Sequence, residues 1–368
     1  MRLGILWMAV FALVFAVRAA EAQKAQEPSE WHSATEFTLE GKGWKETESP
    51  YDRFPPKAHG KVPENVWGLS QMSAGIAIRF QSDAPRIWAR WSLTTDIMAL
   101  PHMPATGVSG VDLYIRQDND KWVFVGNGRP LKVENNIAQF YPPSKTGEMR
   151  EYLLYLPLYN GTKSLELGVV KGHRIQNVLQ RPQDKAQPVV YYGSSIAQGG
   201  CASRPGMAFT NILGRTLDRP VINLGFSGSA MLEPEVADII AELDPILFVL
   251  DALPNAHNLP PDKLTARLTA FAKTLRAKHP DTPILFVGQA SVFTDRLPLP
   301  ASKLQEALVE TLRQEGIKRL YLLDGANLFG ADGEGTVDGA HPNDLGMVAH
   351  AKGLQGTLER IIRTRQRD

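Results

Sequence analysis

Ser195 ends an apolar run, Val189-Val190-Tyr191-Tyr192-Gly193-Ser194-Ser195, and far downstream stands Asp338-Gly339-Ala340-His341-Pro342. These residue types suit acyl transfer. A serine hydroxyl is a poor nucleophile until a base removes its proton. Histidine titrates nearest to neutrality, so His341 is the candidate base. Asp338 is the candidate partner that fixes the imidazole tautomer and stabilises the imidazolium. Negative charge then grows on the carbonyl oxygen and needs fixed donors. The backbone N–H groups of Ser195 and Gly228 and the side-chain amide of Asn255 are candidates for that oxyanion hole.

Each of these residues also has a plainer reading. Ser195 suits a helix N-cap. Gly228 and Asn255 suit turns, as do Asp338-Gly339 and a loop histidine before Pro342. Cys201, the single cysteine, follows Gly199-Gly200 close to Ser195. A thiolate nucleophile there would need a base or a helix N-terminus, and a small buried residue is the simpler expectation. Metal binding could draw on His102, His257 or His341, but no His-x-x-x-His or cysteine cluster accompanies them, so no metal is expected. Gly199-Gly200 lacks the Gly-Lys-Ser/Thr of a phosphate loop, so no cofactor is expected. A Gly-x-Ser-x-Gly elbow is absent, because position 197 is Ala.

The elements that would hold these residues follow two rhythms. From about Trp31 to Val170, short alternating stretches such as Arg86 to Leu93, Val111 to Arg116 and Tyr152 to Leu156 predict strands of a β-sandwich, with no helix period. Asn160-Gly161-Thr162 reads as a hairpin turn, although it also matches a glycosylation acceptor. Trp67, Trp88, Trp91 and Trp122 read mostly as core. Arg181 to Pro188 is polar and unpatterned, a junction between domains. After it, apolar strands alternate with helices, which predicts a parallel sheet covered on both faces. In such folds ligands lie beyond the carboxyl ends of the strands. Ser195, Gly228 and Asn255 each follow a predicted strand, and Asp338 and His341 precede the last helix.

Bulk properties narrow the function. Lys plus Arg number 40 and Asp plus Glu 39 in 368 residues. No net field recruits nucleic acid or an anionic membrane, which points to a neutral partner or a small substrate. One cysteine allows no internal disulfide. Residues 1–22 read as a signal peptide: Arg2, an apolar Leu3 to Val17, then Ala20-Glu21-Ala22. A periplasmic or secreted protein is expected, with no stable membrane insertion after cleavage.

The four blocks around Ser195, Gly228, Asn255 and His341, with Asp338 three residues before the histidine, resemble the SGNH (GDSL-type) hydrolase superfamily in its own order. Gly193-Ser194-Ser195 departs from Gly-Asp-Ser, and Asn255 sits in Leu-Pro-Asn. Gly110-Val111-Asp112-Leu113-Tyr114 resembles the Gly-x-Asp-Leu-Tyr domain that precedes some of these hydrolases. The resemblance implies an α/β fold: a jelly-roll-like β-sandwich (23–184) followed by a three-layer α/β/α SGNH domain (185–368). It also implies a cofactor-free serine esterase. The two-part plan is similar to exported carbohydrate esterases that remove acetyl groups. In this chain the sandwich is expected to bear sugar-stacking aromatics or to close one wall of the site, and the loop Pro101 to Thr106 to reach across the cleft. A lipid esterase or thioesterase, or a non-catalytic carbohydrate-binding protein, are the alternatives.

Overall fold

The computed structural model describes residues 28–367 except 29, 144–146, 291–298, 327 and 331. The signal-peptide reading of residues 1–22 lies outside the described residues. Among the described residues, no helix is long and apolar enough to cross a membrane.

The first half forms two antiparallel sheets. Its strands are β1 (Glu30–Ser33), β2 (Thr38–Glu40), β3 (Ala77–Ser82), β4 (Ile87–Leu93), β5 (Val111–Arg116), β6 (Trp122–Gly128), β7 (Asn136–Phe140), β8 (Arg150–Tyr155), β9 (Thr162–Val169) and β10 (Ile175–Asn177). One sheet runs β1-β9-β4-β7 and the other β10-β3-β8-β5-β6, with β2 beside β3. Alternate side chains close the core between them: Phe80, Trp91, Leu113, Tyr152 and Leu154 are among its buried members. The opposite face of the second sheet is buried as well. Ala77, Tyr114, Leu153 and Tyr155 pack together there, and the Tyr155 hydroxyl donates to Asn211 O in the second half at 3.4 Å. Burial on both faces explains why apolar and polar positions do not alternate cleanly in β8. Trp67, Trp88 and Trp91 are core residues, as their size suggested. The turn at 160–162 is not a hairpin. It carries the chain from the second sheet to the first, and the Asn160 side chain is buried in hydrogen bonds.

The second half is a parallel sheet of five strands: β11 (Val189–Gly193), β12 (Val221–Gly225), β13 (Leu247–Asp251), β14 (Ile284–Val287) and β15 (Leu320–Leu323). Their order is β12-β11-β13-β14-β15. Val190, Tyr192, Ile222, Leu224, Phe248 and Leu250 face one helical layer. Val189, Tyr191, Val221, Leu247 and Val249 face the other. Every residue of β11, β12 and β13 is buried, as a doubly covered sheet demands.

One segment contradicts the absence of a helix period in the first half. Helix α1 (Glu64–Ser70) and the chain before it leave the sandwich. Phe54, Ala58, Val62, Val66 and Trp67 join the core of the second half. Arg53 bolts this segment down. Its buried guanidinium donates to four backbone carbonyls: Leu69 O (2.6 Å), Met72 O (2.8 Å), Asn223 O (3.2 Å) and Gly225 O (2.7 Å). Its carbon also sits 4.9 Å from the centre of the Phe226 ring. Burying a cation costs several kcal/mol unless every donor is used. Here the carbonyls supply that compensation, and burial still pulls the guanidinium pKa down, to about 9. Arg53→Met leaves these carbonyls without a donor, at about 1–3 kcal/mol for each that water cannot reach. We expect a loss of about 3 kcal/mol or more in urea-unfolding free energy, with Arg53→Lys intermediate.

Candidate active site

Three adjacent strands deliver three of the sequence-predicted residues to one edge. In the sheet, Gly193 of β11 stands opposite Gly225 of β12 and Asp251 of β13. The chain beyond each strand carries Ser195, Gly228 and Asn255 respectively. Ser195 is the first residue of the short helix α2 (Ser195–Gln198). It is not the N-cap. Ser194 takes that role, its hydroxyl accepting from the Ile196 N–H at 3.3 Å. The position where the family motif carries Asp therefore still caps the turn.

Helix α2 lies hard against the end of β12. A Cβ on Gly225 would stand 2.1 Å from Gln198 N and 2.6 Å from the Ala197 carbonyl carbon. Only glycine lets the serine turn approach this closely. Two buried side chains then lock the turn. Asn223 Nδ2 donates to Ala197 O at 2.7 Å and its Oδ1 accepts from the Gly225 N–H at 2.9 Å. Gln198 Oε1 accepts from the Ser227 N–H at 3.0 Å, tying α2 to the loop that carries Gly228. Tyr159 of the first half donates its hydroxyl to Ser195 O at 3.1 Å. Sequence reading missed Arg53, Asn223, Gln198 and Tyr159. None lies in a motif. Their signal is a buried polar group inside an otherwise apolar run, visible in Val-Ile-Asn-Leu but not interpretable without its partner.

The fourth block comes from between β15 and the last long helix (Asp344–Arg367). Ser195 Oγ and His341 Nε2 are 2.9 Å apart. His341 Nδ1 and Asp338 Oδ2 are 2.8 Å apart. The other carboxylate oxygen accepts from the backbone N–H groups of His341 (2.7 Å) and Ala340 (3.0 Å). Partial burial raises the Asp338 pKa, but these backbone and ring hydrogen bonds outweigh it and hold the carboxyl at about 2. A carboxylate kept ionised can hold Nδ1–H toward itself, which leaves Nε2 free to accept the serine proton.

The two other candidate donors stand in the neighbouring segments after β12 and β13. Gly228 adopts φ +66°, and a Cβ there would meet nothing within 4 Å, so space lies open in front of it. Asn255 Nδ2 donates to Phe226 O at 3.1 Å, which fixes the amide beside the Gly228 loop. An amide nitrogen carries two hydrogens, and one remains for another acceptor. Among the described residues, no protein acceptor takes the Ser195 or Gly228 N–H. Cys201 stands nearby at φ +70° and is buried. Burial first, then the Asp338 charge, pushes its thiol up to about 11, which disfavours a thiolate nucleophile.

A parallel sheet with a serine, a histidine and an acid at its carboxyl edge defines the architecture of a serine hydrolase. Residues 186–359 match the GDSL-like lipase/acylhydrolase family, and residues 29–175 match the N-terminus of SGNH-hydrolase-type esterases. The chain belongs to this family and is a hydrolase of carboxylic esters. A solved protein from Bacteroides ovatus ATCC 8483, described as a GDSL-like lipase, is 38% identical over 91% of this chain and 98% of its own, with a TM-score of 0.81. Salicylyl-acyltransferase SsfX3 shares the fold at 19% identity over 90% of this chain and 97% of its own, TM-score 0.71. So does a family two carbohydrate esterase from Cellvibrio japonicus, at 14% identity over 91% and 98%, TM-score 0.59. No curated protein matches the chain.

Two predictions follow from this geometry. Gly225→Ala meets backbone, which no side-chain rotation relieves. Steady-state kinetics should show kcat lower by about 10²-fold, as expected for a nucleophile displaced by an ångström. The folded Asp338 pKa lies below the ~3.9 of an unfolded aspartate. Its bonds therefore add stability above about pH 4, and that contribution is lost as pH falls through about 2. Asp338→Asn should lower kcat about 10²–10⁴-fold at neutral pH, and chemical denaturation should find its stability deficit at pH 7 shrinking on acidification.

Proposed function

We propose that the protein is an exported O-acyl esterase that removes acetyl groups from carbohydrate hydroxyls. Ser195 Oγ attacks the ester carbonyl while His341 Nε2 takes its proton. The tetrahedral oxyanion rests against the Ser195 and Gly228 N–H groups and the Asn255 amide. Collapse breaks the bond to the alcohol oxygen, which receives the proton from His341. Water then attacks the acyl-serine with His341 again as base, releasing the acid and restoring Ser195. Asp338 orients the imidazole throughout. Each oxyanion donor contributes about 10²–10³ in turnover.

The observation that carries this reading is the continuous hydrogen-bonded series from Ser195 through His341 to Asp338. Support for a carbohydrate substrate comes from the shared two-part fold with the Cellvibrio japonicus carbohydrate esterase and with an acetyl xylan esterase, Est2A, from Butyrivibrio proteoclasticus. The charged and apolar pattern of residues 1–22 supports export to the periplasm or medium.

Acetate release from a panel of acetylated polysaccharides tests the proposal, with Ser195→Ala as control. The variant should keep the wild-type circular dichroism and melting temperature and release no acetate. Rates on aryl esters should fall from acetyl to octanoyl. A rise with chain length would favour a lipid esterase instead, and retained turnover in Ser195→Ala would overturn the mechanism.

A further inference from the structure

The sandwich half is not a neighbour of the active site but part of its wall. Its loop between β4 and β5 folds into a tight two-way bridge, in which Leu100 N donates to Met103 O at 2.9 Å and Met103 N donates to Leu100 O at 3.0 Å. Pro101 and His102 form the tip. Met103 is buried, whereas His102 is exposed. The His102 ring centre stands 5.8 Å from that of His341. Among the described residues, the His102 ring nitrogens have no hydrogen-bond partner.

This placement is built rather than incidental. Asn160 Nδ2 donates to Thr95 O (3.1 Å), Ile97 O (3.2 Å) and Ser109 Oγ (3.0 Å), which fixes the root of the loop. Thr106 Oγ1 donates to Ser203 O at 2.6 Å. A Cβ on Gly107 would stand 2.3 Å from Ala202 O, so the loop lies directly on the segment that follows the nucleophile helix. The Gly-x-Asp-Leu-Tyr motif then clamps that segment from the other side. Buried Asp112 Oδ2 accepts from Arg204 Nη1 and from the Gly206 N–H, both at 2.8 Å. Arg204 Nη1 also donates to the Tyr114 hydroxyl at 2.7 Å. Ser203 N, within the clamped segment, donates to Asp344 Oδ1 at 2.9 Å, three residues beyond His341. The loop that carries His102 and the loop that carries His341 therefore hang from one framework.

We propose that His102 is a substrate-binding residue on the leaving-group side, and that it recognises an alcohol bearing a further free hydroxyl, as a partly acetylated sugar does. This inference rests on the esterase reading above. His341 must hand its proton to the departing alcohol oxygen, so that alcohol lies next to the His341 ring. A group at the distance of His102 is within the span of a single sugar ring from that oxygen. Neutral imidazole both donates and accepts, which matches a hydroxyl and offers an alkyl chain nothing.

The test compares kcat/KM for two esters in the full-length protein: methyl xyloside carrying one acetyl beside a free hydroxyl, and p-nitrophenyl acetate, whose leaving group has no second hydroxyl. In His102→Ala the ratio of sugar to aryl ester should fall about tenfold, the equivalent of one substrate hydrogen bond. His102→Gln, which keeps a donor and an acceptor, should recover part of it. His102 is exposed, so unchanged melting temperatures should accompany both variants. A ratio that stays at the wild-type value in His102→Ala overturns the proposal. A wild-type protein that cleaves the aryl ester but no sugar ester overturns the alcohol class and leaves the serine esterase reading standing. A folded wild-type protein inert toward both esters defeats the esterase reading itself.

Discussion

A hydroxyl and an imidazole 146 positions apart in the chain must meet within hydrogen-bond distance, and most of the architecture around them serves that meeting. The serine turn has only a few backbone hydrogen bonds of its own to hold it. It is four residues long and is fixed by what it leans on: the bare backbone of Gly225, the Asn223 amide and the Gln198 bond to the Gly228 loop. The histidine stands between β15 and the last helix, held by its own aspartate three residues back. Small errors in either would separate groups that react only at contact distance.

The sheet order gives this meeting a location. Strands β12, β11 and β13 lie side by side, so the residues just beyond them converge without long loops. The strand order reverses between β11 and β13, the usual position for ligands in open α/β folds. The first half then completes the wall. Arg53 bonds the end of the strand that leads to Gly228, Tyr159 bonds the Ser195 turn, and His102 stands beside His341.

Much of this was legible in the sequence. The apolar runs at 189–193, 221–225 and 247–251 identify buried parallel strands, and the candidate site residues Ser195, Gly228 and Asn255 follow them. Alternation identifies most of the sandwich. Other features were not legible, for physical reasons. The segment around Phe54 to Trp67 is apolar but belongs to the core of the other half, and no local pattern records which core a side chain enters. Arg53 looks like any surface arginine, because its partners are carbonyls, which every sequence possesses. Asn160 looks like a turn residue, yet its amide is buried among the backbone of a distant loop.

Mass spectrometry after treatment with a fluorophosphonate measures the reactive centre most directly, because such a reagent bonds only to an activated hydroxyl. The account predicts a single adduct, on Ser195, that appears in step with the loss of esterase activity and fails to form in His341→Ala. Full inhibition with the adduct on another residue, or undiminished hydrolysis with Ser195 modified, would contradict it.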